Sequence, residues 1–142
     1  MQIKQTLKKM TSLKLEIKEL PEHFKIEEKA LEKTGIKTWE KLMMIEDIEI
    51  NKLAYTNKCS VINLTKLRGI AKLICELSIP IEKAALLIHS GISSSIALAR
   101  YTPQELINRT SRLERTLSTG RESLFNVKEA NELICLARNR QI

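Results

Sequence analysis

Glycine is scarce in this chain, at four of 142 residues, alongside three prolines and five aromatic side chains. So few glycines leave no phosphate-cradling loop, and the sequence holds neither a Walker-type loop nor a Gly-x-Ser-x-Gly elbow. Five aromatics are too few for base stacking to serve as the main means of holding nucleic acid. Cysteine is limited to Cys59, Cys75 and Cys135, an odd number, none at metal-ligand spacing from another or from His23 or His89. They read as reduced core thiols in an intracellular compartment. The longest purely apolar run, Ala84 to Ile88, has five residues, against the roughly twenty a bilayer span needs. No membrane span is expected. The first twenty residues also lack the apolar stretch and small-residue cleavage site of a secretory leader and the arginines of a transit peptide, so the chain is expected to be used where it is made.

What the sequence does have is positive charge, unevenly placed. The net charge is +7; residues 1–20 carry five lysines against two acids, residues 21–61 seven basic against eight acidic, and residues 62–142 twelve against seven. All eight arginines fall between Arg68 and Arg140. Arginine offers a planar fork that fits phosphate or carboxylate, whereas a dispersed excess of lysine can simply keep a small protein soluble. Isoleucine and lysine together supply 34 residues, a bias that fits translation from an AT-rich genome.

The chain also repeats itself. Leu31, Gly35, Ile36, Thr38 and Leu42 recur as Leu87, Gly91, Ile92, Ser94 and Leu98, 56 residues later. Each set spans the end of one helical stripe and the start of the next, with glycine where the first helix must stop, so Gly35 and Gly91 are read as structural stops. Around them every clear periodicity is helical. Ile26, Ala30 and Leu31 form a stripe ending at Gly35, and Thr38 caps a helix through Trp39 and Leu42. Asn63 is a cap candidate for the run from Leu64 to Leu77, which Ser78, Ile79 and Pro80 interrupt before a helix over 81–90. Thr102, Pro103 and Glu105 form a capping box for a helix through Leu113, and Asn126 with Glu129 starts a last helix with Val127, Ala130, Ile134 and Ala137 facing inward. Residues 1–19 have an uncertain structure, because Ile3, Leu7 and Met10 follow the helical period while Leu13, Leu15 and Ile17 alternate.

Leu20 and Pro21, followed by Leu31, Gly35 and Ile36, have the offsets of a helix-hairpin-helix motif, and Leu77, Ala85, Ile88, Gly91 and Ile92 form a second copy one residue shorter. Together with Leu86 to Ile92 and Arg112-Leu113, they give a chain that resembles an uncharacterised family of tandem helix-hairpin-helix-like domains known from cyanobacteria and algal plastids. The resemblance implies an all-α fold of two such SAM-like units packed as one domain, 20–62 and 63–142, and residence in a plastid stroma or cyanobacterial-type cytoplasm; it brings no activity. The hairpin glycines of the motif are replaced by Glu22 and Phe24 in the first unit and by Ile79 and Ile81 around Pro80 in the second. A carboxylate, bulky side chains and a missing N–H all oppose close approach of a phosphate.

The best functional candidates are Arg109, Arg112 and Arg115, which span about 120° of a helical wheel opposite Leu106, Leu113 and Leu117, together with Arg121 in a Ser-Thr-Gly-Arg stretch and the terminal Arg138 and Arg140. They would contact a partner's phosphates or carboxylates, or else form a solvated face with Glu105 pairing to Arg109. His89 is expected to cap or pack, His23 to sit in a surface turn, and Trp39 to fill the seam between the two units. No residues combine into a catalytic, cofactor or metal site, so no enzyme is expected. Two functions remain open: a protein-interaction adaptor with an unknown protein partner, and a nucleic-acid or ribonucleoprotein binder working through the basic face.

Overall fold

The computed structural model describes residues 16–17, 20–116 and 125–140. Among them the secondary structure is helical apart from one isolated antiparallel bridge between Glu16 and Thr38. After a 3-10 turn at Glu22–Phe24 come α1 (Lys25–Lys33), α2 (Trp39–Met44), α3 (Asp47–Asn57), α4 (Val61–Leu77), α5 (Ile81–His89), α6 (Ser95–Ala99), α7 (Pro103–Thr116) and α8 (Val127–Asn139). No helix among the described residues is long and apolar enough to cross a membrane. The chain parts into two compact units between Ser78 and Ile79. The sequence boundary at 62/63 falls inside α4, which packs against α2 and α3 in the first unit.

The first unit is built on α4. Leu64, Leu67, Ile70, Ala71, Leu73, Ile74 and Leu77 are all buried along it, and each fully buried Leu or Ile contributes about 1.5–3 kcal/mol over exposure. The helix begins one turn earlier than its apolar stripe, because Ser60 and not Asn63 is the cap: the Ser60 hydroxyl accepts the Asn63 N–H at 3.1 Å. Asn63 instead donates from its side chain to the His23 carbonyl at 3.1 Å and to Glu27 Oε1 at 3.0 Å. Glu27 Oε2 accepts the Ser60 N–H at 3.1 Å, so a carboxylate 2% exposed is satisfied at the positive N-terminal end of α4. This corrects the expected inward stripe of α1. Glu27 is buried with Ala30 and Leu31, while Ile26 is 61% exposed. The Ser60–Asn63 end of α4 selects the residue that can hydrogen-bond to it, which overrides apolar spacing. Phe24, standing where a hairpin glycine would, is fully buried, and Ile17 is tied in by its N–H to the Lys37 carbonyl at 2.8 Å.

In the second unit α5 packs on α7, and α8 packs on α6 and α7. Leu87, Ile92, Leu98 and Leu106 are fully buried, as are Ala130 and Ala137 on α8. The capping box is present: Thr102 N–H donates to Glu105 Oε1 at 3.1 Å, and Glu105 N–H to the Thr102 hydroxyl at 3.2 Å. Asn126 caps α8 by accepting the Glu129 N–H at 2.8 Å. Val127, expected inside, is 61% exposed, because as the first residue of α8 it lies a turn before the buried stripe of Ala130, Leu133, Ile134 and Ala137.

Both repeated turns end their helices in the same way. Gly35 has φ +81° and Gly91 φ +89°, conformations that L side chains rarely adopt. Each lets the next residue's N–H reach back five residues, Ile36 to Leu31 O at 2.9 Å and Ile92 to Leu87 O at 2.8 Å, so that exposed carbonyls at the helix end are satisfied. Thr38 and Ser94 then cap α2 and α6, accepting from Lys41 N at 3.2 Å and Ala97 N at 3.1 Å.

Candidate functional site

The candidate basic face lies on α7, whose inner side is set by Leu106 and Thr110, both fully buried. The Thr110 hydroxyl needs no outside partner, since it donates to the Leu106 carbonyl at 3.0 Å. With those residues inward, Arg109 and Arg112 fall on the exposed side one turn apart. Arg109 does not project freely. Its Nε donates to the Ser90 carbonyl at 2.5 Å, at the residue that ends α5, and its guanidinium lies over Gly91. A Cβ at Gly91 would come within 2.9 Å of Arg109 Nη2. Cation and helix C-terminus attract, and the carbonyl there has no intrahelical donor. Glu105, expected to pair with Arg109, is used instead in its capping box. The side chain of Arg115, and Arg121 with its Ser-Thr-Gly stretch, lie outside the described residues.

Two further arginines make the same kind of contact. Arg138 on α8 donates from Nε to the Ala99 carbonyl at 2.9 Å and from Nη2 to the Tyr101 carbonyl at 3.2 Å, closing the end of α6. Arg68 on α4 donates from Nη1 to the Ile45 carbonyl at 3.2 Å, at the end of α2, and pairs through Nη2 with Asp47 Oδ1 at 2.7 Å. Arginine suits this task because its fixed fork can meet two acceptors at once while its stem covers apolar surface. Sequence reasoning missed all three clasps. The partners are 19, 23 and 37 to 39 residues away, and no local spacing rule marks them.

The remaining candidates divide by burial. Trp39 is 3% exposed in the first unit, so it is core and offers no face to a base. His23 is exposed, and its ring packs against Phe24 at a 43° tilt with centroids 4.1 Å apart. Cys59 and Cys75 are half-buried free thiols and Cys135 is exposed, which corrects the expectation that all three are buried. Burial pushes the Cys59 thiol up, helped by the Glu27 charge; burial also raises Cys75, with Glu40 and Glu76 adding to the effect. A raised thiol is a poorer nucleophile and a poorer metal ligand at neutral pH. Among the described residues no three His, Cys, Asp or Glu side chains come together in a group that could hold a metal ion.

Two concave regions accompany these side chains. In the second unit a small cleft of about 270 Å³ is floored by Phe125 and walled by Ile79 and Leu133, with Lys83 ion-paired to Glu129 and its Nζ 5.4 Å from the Phe125 ring centre. In the first unit a wider groove of about 630 Å³ runs along α2 and the first turn of α3. Met44, which lines the groove, is 70% exposed, and Ile48 and Tyr55 on α3 are 67% and 89% exposed.

Residues 21–140 match the model of the family described as Domain of unknown function (DUF4332), and the chain belongs to that family. No curated protein and no solved structure matches the chain.

Proposed function

We propose that this member of the DUF4332 family is a non-enzymatic helical binding module acting as a protein-interaction adaptor. The observation that carries the reading is the collection of exposed large apolar side chains on the first unit: Ile26, Met44, Ile48, Tyr55, Val61 and Ile62. Large apolar side chains held out in water are the groups a protein partner can cover. The two glycine-ended turns, each followed by a hydroxyl cap, support reading the units as a tandem helix-hairpin-helix-like, SAM-like pair whose hairpins serve as packing scaffolds. The compartment that goes with this reading is a plastid stroma or a cyanobacterial-type cytoplasm.

Nucleic-acid or ribonucleoprotein binding is the second reading, and the net charge of +7 favours it. Against it stands the engagement of Arg109 by the Ser90 carbonyl, which leaves that fork fewer donors for a phosphate. Affinity purification from native cells with and without nuclease separates the two: partners retained after nuclease support the adaptor. An oligonucleotide titration over rising salt gives the converse test. Tight binding that persists at physiological salt and is lost on reversing Arg112 to Glu would replace the adaptor with the nucleic-acid reading.

A further inference from the structure

We propose that the groove along α2 and the first turn of α3 is the docking site for a cationic amphipathic helix of a protein partner; this rests on the adaptor reading and names the chemistry of what is bound. The groove is lined by Ile36, Met44 and Ile45, with Glu40 and Lys41 on α2 and Glu49 on α3. Ile45 is buried and forms floor, whereas Met44 ends α2 with its flexible thioether exposed, a side chain that adapts to differently shaped apolar anchors. At about 630 Å³ the groove has room for several side chains of an incoming segment.

Charge decides which segment. The groove lining carries two acids, Glu40 and Glu49, against the single base Lys41; Glu46 and Asp47 lie in the chain between α2 and Glu49, and Lys37 lies between Ile36 and Thr38, in a chain whose net charge is +7. Asp47 is already used by Arg68. Glu40 and Glu49 make no ion pair among the described residues, so the lining's two carboxylates outnumber its one cation, Lys41. A phosphate backbone is repelled by that pair; an apolar ridge flanked by lysine or arginine is attracted. Glu40, Lys41, Met44 and Glu49 stand on helices whose backbone groups are already bonded, and Thr38 on the connecting segment is already bridged to Glu16, which favours a helix read through anchors at i, i+3, i+4 and i+7.

The test uses the full chain and a labelled synthetic helix with leucines at those positions and lysines elsewhere. Its controls are the same helix with glutamates for lysines and a scrambled peptide of equal composition. Fluorescence anisotropy should show binding of the cationic helix alone, weakened by salt. Met44→Asp and the pair Glu40→Lys, Glu49→Lys should each reduce affinity roughly tenfold or more. All three positions are exposed, so the variants should keep their helical circular dichroism. Binding that is unchanged in these variants would overturn the groove assignment while leaving the adaptor reading intact, as would a preference for the acidic helix. Self-association of the chain abolished by Met44→Asp would also overturn it, by making a second copy the occupant. Failure of every peptide, together with tight oligonucleotide binding, would remove the adaptor reading and the groove with it.

Discussion

The turn from Leu31 to Leu42 and the turn from Leu87 to Leu98 are the same backbone solution in two settings. Both have a buried leucine three residues before the helix cap, a glycine at positive φ, an N–H reaching back five residues and a hydroxyl capping the next helix. The surroundings differ. Around Gly35 an added Cβ meets nothing within 4 Å, and Ile36 is half-buried; over Gly91 lies the Arg109 guanidinium, and Ile92 is fully buried. One glycine answers to backbone geometry alone, the other to backbone geometry and to a clasp from a distant helix. A repeated local pattern therefore does not carry identical constraint.

The largest effects should be equal in the two turns. Leu31→Ala and Leu87→Ala each empty a site no more than 1% exposed, and each should cost about 2–5 kcal/mol in urea denaturation. A cost confined to one of them would break the equivalence at its packed base. The glycines should then separate the turns. Gly35→Ala should cost about 1 kcal/mol, the penalty of a side chain at positive φ. Gly91→Ala should cost about 2 kcal/mol, since Arg109 must also swing away and give up its bond to Ser90. In an Arg109→Ala background the two glycine substitutions should converge, and a double-mutant cycle that finds no coupling between positions 91 and 109 would refute the clasp.

Smaller and again equal effects are expected at the caps. Thr38→Ala and Ser94→Ala should each lower stability by about 1 kcal/mol, measured as a shift in thermal midpoint. The smallest difference concerns the thiols. Cys135 in the second unit is exposed, whereas Cys59 and Cys75 in the first are half-buried with their thiols raised by burial, so each holds less thiolate at a given pH. A thiol reagent near pH 8 should label Cys135 first, with the other two catching up only as pH rises past the ordinary thiol range of about 8.5. Equal rates at all three would contradict the burial of Cys59 and Cys75.

Much of the local structure was legible because its causes are local. Positive-φ glycines, the Thr38 cap, the Thr102–Glu105 box and the Asn126 cap all act within three to five residues, and spacing rules describe that range. The errors at Ile26 and Asn63 fall where a distant group intervened. Ile26 lost its inward place to Glu27 because the start of α4, more than thirty residues on, offers the hydrogen bonds that a carboxylate can take. The basic face was legible as a wheel pattern, but the capture of Arg109 by Ser90 was not, since nothing near either residue announces it.

Composition, period and punctuation thus determined by themselves that this chain is helical, where its two glycine-ended turns lie, and that Thr38 and Thr102 start helices, because these depend on dihedral limits and hydrogen bonds within one turn of backbone. Only the tertiary structure decided that Arg68, Arg109 and Arg138 close the ends of other helices, that Glu27 is buried, and that the apolar lining of a groove along α2 stands beside unpaired carboxylates. The physical reason is that an arginine's charge and reach are the same wherever it stands in sequence, while the carbonyl it satisfies is chosen by how the helices pack.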